Sequence, residues 1–136
     1  MATFPDCNTT EVSCVPLVYA CSGASDVGEI TDRVARRLHA GKIARMQCLA
    51  SIGARTVRRD ILAKAPVILA IDGCPKECVS KLLELAGLKN VRQVRLADIG
   101  LVKDASPADE AAIAHATDHC RRILTAPRPA APGTAA

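Results

Sequence analysis

Val67-Ile68-Leu69-Ala70-Ile71-Asp72-Gly73-Cys74-Pro75-Lys76-Glu77-Cys78 is the stretch whose reading decides the fold. Its first five residues are apolar without alternation, as expected of a strand covered on both faces. Asp72 and Gly73 end that strand, and Pro75 suits the first position of a helix, where its missing N–H costs nothing. The spacing predicts a helix over Pro75–Ala86, with Val79, Leu82, Leu83 and Ala86 inward and Gly87 as its stop. Cys74 then sits at the helix N-terminus, where unpaired N–H groups and the helix dipole favour a thiolate. Cys78 follows one turn later on the same face.

Upstream, Val15-Pro16-Leu17-Val18-Tyr19-Ala20 reads as a second strand buried on both sides. A turn over Cys21–Asp26 leads into a helix over Asp26–Ala40. Ile30, Val34, Ala35 and Leu38 form its buried stripe, Asp26 and Glu29 are spaced as a capping box, and Gly41 stops it. A strand over Lys42–Gln47 rests on Ile43 and Met46. Cys48–Gly53 reads as a turn, and a helix over Ala54–Lys64 uses Val57, Ile61 and Leu62. Downstream, Val91–Asp98 alternates, with Val94 and Leu96 inward and Gln93 and Arg95 outward, as an edge strand guarded by charge. Ser106-Pro107-Ala108-Asp109 opens a last helix that reaches Thr125.

This order, strand and helix alternating four times, predicts a single-domain α/β fold. Right-handed crossovers give an open parallel sheet of about four strands with helices on both faces, Rossmann-like or flavodoxin-like. Residues 14–125 form that domain. Residues 1–13 are expected to be a flexible arm, and the Pro/Ala-rich residues 126–136 a disordered tail. A spatial order 2-1-3-4 sets the three strands that precede Cys21, Cys48 and Cys74 side by side. Ligands of such sheets gather at the carboxyl ends of the strands.

The 136 residues are 49% hydrophobic with no Trp, one Tyr and one Phe. The core must be built from Val, Ile, Leu and Ala, and stacking platforms for single-stranded nucleic acid are lacking. Seven cysteines, about 5% of the chain, fall short of a disulfide scaffold. The first residues carry neither a basic leader nor an apolar segment, and no run approaches the ~18 apolar residues of a membrane span. The expectation is a cytoplasmic protein away from membranes, in which free thiols bind metal or do redox work.

Net charge is +4, and basic residues crowd positions 33–64 with Asp60 the only acid beyond Arg33. Such a stretch is either a solvated surface or a docking site for an acidic protein. The turn Ser22–Ser25 could hold a small anion on converging N–H groups. Gly23 and Gly28 have phosphate-loop spacing, but Glu29 stands where the lysine belongs, which argues against nucleotide. Asp72 is a potential general base, or a turn residue that accepts from the following backbone. Cys14 and Cys120 read as packing residues. His115, His119 and Cys120 lie close on one helix without a further strong ligand.

Four thiolates can close a tetrahedral zinc site, with helix N-termini offsetting the excess negative charge. Gly23, Gly53 and Gly73 would let backbone approach such a site. The motifs Cys21-Ser22-Gly23-Ala24-Ser25-Asp26-Val27-Gly28, Ala35-Arg36-Arg37-Leu38, Cys48-Leu49-Ala50-Ser51-Ile52-Gly53 and Asp72-Gly73-Cys74 with Cys78 together resemble the DGC-domain family. These are small bacterial and archaeal proteins described as zinc-binding, and the resemblance covers roughly residues 14–100. It implies a metal ion as partner, Zn²⁺, on Cys21, Cys48, Cys74 and Cys78; no reaction comes with it. The same four thiols suit an Fe–S cluster. The rival reading is thiol redox or sulfur transfer, with Cys74 attacking and Cys78 resolving.

Overall fold

A computed structural model describes residues 15–127. The arm, Cys7, Cys14 and the tail from residue 128 onward lie outside the described residues. Four strands, β1 (Leu17–Ala20), β2 (Arg45–Met46), β3 (Ile68–Asp72) and β4 (Val91–Arg95), form one all-parallel sheet in the order β2-β1-β3-β4. Helices α1 (Asp26–Ala40), α2 (Leu49–Gly53), α3 (Arg59–Leu62), α4 (Cys78–Leu85) and α5 (Glu110–Thr125) cover it. The α/β class, the parallel sheet and the strand order expected from sequence are all present.

β1 and β3 are central and buried along their whole length. Successive side chains of a strand point to opposite faces, so the two strands feed two cores. Val18, Ala20, Leu69 and Ile71 meet Val27, Ile30, Val34 and Leu38 of α1 and Ile113, Ala116 and Cys120 of α5. Leu17, Tyr19, Ile68 and Ala70 meet Leu62 of α3 and Val79 and Leu83 of α4. Fully burying a Val, Leu or Ile side chain stabilises by about 1.5–3 kcal/mol, so this double layer supplies a core without any staple. Among the described residues no helix is long and apolar enough to cross a membrane.

Several local expectations are corrected. The N-cap of α1 is Ser25, whose Oγ accepts from the Gly28 N–H at 3.1 Å, not an Asp26–Glu29 box. Asp26 instead accepts from the Asp104 and Ser106 N–H groups at 3.0 and 3.1 Å, tying the loop before α5 to the start of α1. These backbone hydrogen bonds, the one from Asp104 foremost, hold its carboxyl below the usual carboxylate range. Gly41 closes α1 at φ −81, and the left-handed residue is Lys42 at φ 61.

The single helix expected over Ala54–Lys64 is two short ones, displaced. The segment read as a turn is α2, with Cys48 as its N-cap. Arg55 adopts φ 57, the Thr56 N–H bonds the Ser51 carbonyl at 3.1 Å, and the chain restarts at α3. Downstream, α4 starts at Cys78 rather than Pro75. Glu77 at φ 52 forms its N-cap, and the Glu77 N–H bonds the Cys74 carbonyl at 3.2 Å, so Cys74–Glu77 is a turn. Strand β4 stops at Arg95, and Leu96 is buried as the first residue of a 3₁₀ turn, Leu96–Ile99. Within the expected start Ser106–Asp109, Asp109 caps α5, accepting from the Ala112 N–H at 2.8 Å.

Two glycines are required by close approach. A Cβ on Gly73 would lie 2.9 Å from the Val27 carbonyl oxygen, and one on Gly28 would collide with the backbone of Gly23. Around Gly53 a Cβ would meet open space. Gly28→Ala and Gly73→Ala should therefore each lose about 1–3 kcal/mol in urea unfolding, the usual cost of overpacking. Gly53→Ala, at the end of α2, should be neutral or slightly stabilising. Equal losses at all three positions would contradict this packing.

Candidate functional site

All four expected site cysteines lie beyond the carboxyl ends of strands, and each is a free thiol. Cys21 follows β1 directly, half-buried, with Sγ 3.2 Å from the Thr31 hydroxyl of α1. Cys48 is exposed; its carbonyl accepts from the Ser51 hydroxyl at 2.6 Å and the Ser51 N–H at 3.1 Å. Cys74 is half-buried in the turn after β3, and Cys78 is the exposed first residue of α4. The helix N-terminus expected under Cys74 thus belongs to Cys78.

Two of the four share a cavity. Cys21 and Cys48 line a groove of about 930 Å³ at the ends of β1 and β2, with Asp32, Arg36 and His39 of α1 on its other side. Cys74 lines a separate cavity of about 220 Å³ with Asp72, Glu77 and Arg95. Cys21 packs against the α3/α4 core and Cys74 against the α1/α5 core, so they leave the sheet on opposite faces. The Gly73–Val27 contact sets the start of α1 against the β3–α4 turn. Among the described residues no three His, Cys, Asp or Glu side chains are gathered closely enough to hold a metal ion.

Asp72, the acid of the Asp-Gly-Cys motif, has a positioning role. It is buried; Oδ1 accepts from the Val79 and Ser80 N–H groups at 3.0 and 3.5 Å. Its Oδ2 accepts from the Ser80 hydroxyl and from Gln93 Nε2, the latter at 3.0 Å. Glu77 makes no side-chain cap, so Asp72 takes over the first N–H groups of α4 from a distance. That explains why the helix starts at Cys78, and it leaves this carboxylate engaged as an acceptor rather than poised as a base. The turn reading of Asp72 was legible in sequence; its partners Ser80 and Gln93 were not.

Tyr19 was missed by sequence reasoning. Its hydroxyl is fully buried on the α3/α4 side without a hydrogen-bond partner among the described residues. Burial, then the charge of a Cys48 thiolate, pushes its pKa up to about 12. Cys120 is also fully buried, and burial raises its thiol to about 12, which fits the packing role read from sequence. His115 Nε2 lies 3.3 Å from the Ile99 carbonyl.

The basic stretch is laced with ion pairs: Arg33–Glu29, Arg36–Asp32, Arg37–Glu110 and Arg58–Asp60. At the start of α1 the Val27 N–H bonds Asp26 and the Gly28 N–H bonds Ser25, so these two donors are used internally.

Residues 17–120 match the DGC domain. The chain belongs to the DGC-domain family. It is 38% identical over 92 residues to the anaerobic and virulence modulator AnvM of Pseudomonas aeruginosa, an alignment covering 65% of this chain and 69% of AnvM. No solved structure matches.

His39 Nδ1, on the groove wall of this DGC domain, accepts the Met46 N–H at 3.0 Å and so ties α1 to β2. Burial foremost, then the charges of Lys42 and Arg45, lowers the His39 pKa below 6.5. The folded state then binds fewer protons at this group than the unfolded chain does. Its contribution to stability is complete above pH 6.5 and is lost as pH falls below that value toward the folded pKa. The urea midpoint should drop over that window, and His39→Asn should flatten the slope. An unchanged slope in the variant would remove His39 from the account.

Proposed function

We propose that this DGC-domain protein handles or senses zinc through Cys21, Cys48, Cys74 and Cys78. The observation that carries the reading is the placement of four free thiols at strand-end positions along one edge of a parallel sheet. Their chemistry fits the metal: thiolate sulfur is a favoured zinc donor, and four close a tetrahedral site. Cys21 and Cys48 line one groove, and Cys74 and Cys78 bracket the β3–α4 turn as a second pair in sequence. Metal bound there would supply a charge that draws the pairs together, and the residues would hold it as thiolates.

A role in handling or sensing is favoured over stapling, because the ligands sit on turns and caps while the core is complete without them. AnvM is called a modulator, which accords with a regulatory role here. The redox pair Cys74/Cys78 ranks behind, since Cys74 lacks the helix N-terminus that reading required. An Fe–S cluster on the same thiols would reveal itself by visible absorbance in anaerobic protein, whereas zinc is colourless.

Metal content of untagged protein, by plasma mass spectrometry, should approach one zinc per chain. Each single Cys→Ser change among the four should lower it, while Cys120→Ser should not. Near-zero metal in reduced, chelator-free protein would sink the reading. Circular dichroism should also show secondary structure largely retained after chelation; cooperative loss of the whole fold would make the metal structural instead.

A further inference from the structure

We propose that the groove at the ends of β1 and β2 docks a low-molecular-weight disulfide of the amino-acid type, and that Cys48 exchanges with it to form a mixed disulfide. The inference goes beyond the metal reading and does not depend on it. At about 930 Å³ the groove is far larger than an ion requires and has the size of sites for small organic molecules. Met46, Leu49 and Leu82 give it apolar walls, and its polar groups stand in few places.

Two of those polar groups have opposite charge one helical turn apart. Arg36 donates through Nε to Asp32 Oδ2 at 2.7 Å, and Asp32 Oδ1 also accepts from the Ser22 hydroxyl at 2.9 Å. The Arg36 side chain is 69% exposed, so the pair is a surface i,i+4 pair of small strength that opens easily to a better partner. Its only hydrogen bond among the described residues uses Nε, which leaves the terminal nitrogens to a carboxylate. Asp32 beside it matches an ammonium. A zwitterionic, sulfur-bearing molecule with a short apolar stem therefore fits charge, size and wall together.

The thiols supply the chemistry. Cys48 is exposed on the groove and Cys21 lines its inner part, whereas Cys78, equally exposed, lies outside it. The Cys48 thiolate attacks one sulfur of the small disulfide. The Cys48–sulfur bond forms, the disulfide bond breaks, and the departing thiolate takes up a proton equivalent to the one Cys48 released. The small disulfide is the sole oxidant, and no further electron acceptor is needed.

The test uses the full chain, reduced and freed of metal by a chelator. It is exposed in parallel to glutathione disulfide, which carries amino-acid charges, and to neutral 2-hydroxyethyl disulfide; adducts are mapped by peptide mass spectrometry against time. The first glutathione adduct should fall on Cys48 and disappear in Cys48→Ser. Arg36→Gln should slow it roughly threefold while leaving the neutral disulfide unaffected, as expected for loss of one exposed charge contact. Arg33→Gln, the same charge loss on the same helix outside the groove, should change neither rate. First reaction at Cys74 or Cys78, or equal effects of Arg36→Gln and Arg33→Gln, would overturn the proposal. Metal content, measured separately, is untouched by that result, so either reading can fail alone.

Discussion

The parallel pairing of β1 with β3 is the constraint on which the rest of the molecule depends. Both strands are buried on both faces, so neither can shift by one residue without exchanging one core for the other. Beyond their carboxyl ends the chain departs in opposite directions, into α1 on one face and α4 on the other. Such a divergence is where open α/β sheets form a crevice. Here the first turn of α1 rests against Gly73, so the usable space lies to one side, over the ends of β1 and β2. Cys21 and Cys48 line that space, and Cys74 lines a different cavity.

Polar groups near this edge are held in place, not left free. A buried carboxylate is costly unless it is well bonded. Asp72 meets that condition with two backbone N–H groups, a hydroxyl and a carboxamide, linking β3, α4 and β4 at one point. Thr31 does similar work beneath Cys21: its hydroxyl donates to the Gly28 carbonyl at 2.8 Å and lies beside the sulfur. Tyr19 is the exception. Leaving a buried hydroxyl unpaired costs about 1–3 kcal/mol, and a strain of that size is more readily retained at a working edge than in a purely structural core.

Much of this was legible in the sequence, for identifiable reasons. Uninterrupted apolar runs at Leu17–Ala20 and Ile68–Ile71 admitted no solvent face, so the two central strands and a parallel sheet could be read directly, while the order 2-1-3-4 rested on bringing the cysteine-bearing strands side by side. The stripe of Ile30, Val34, Ala35 and Leu38 identified α1 and its buried face. Legibility failed where side chains reach across the fold. Pro75 offers a helix start in isolation, but Asp72, on a different element, secures the N–H groups of Val79 and Ser80 and delays α4 to Cys78. Val57, Ile61 and Leu62 have helical spacing, but Arg55 in the left-handed region breaks the segment. The thiols lie beyond strand ends as read, yet which of them share a cavity is set by tertiary packing that no local pattern encodes.

The placement of Cys48 bears on what the edge is built to do. It caps α2, which has five residues, none of them buried. A helix so short has little stability of its own, and elements of low local stability are the ones that respond to a ligand. Ile52 and Gly53 at its far end line a second cavity, of about 430 Å³, together with Leu82 and with Leu85, which is 81% exposed. Leu82 also lines the thiol groove, so the two cavities share a wall. Whatever engages Cys48 therefore acts on the end of the least anchored helix, and the opposite end of that helix forms part of an apolar surface with Arg55 and Arg59 around it.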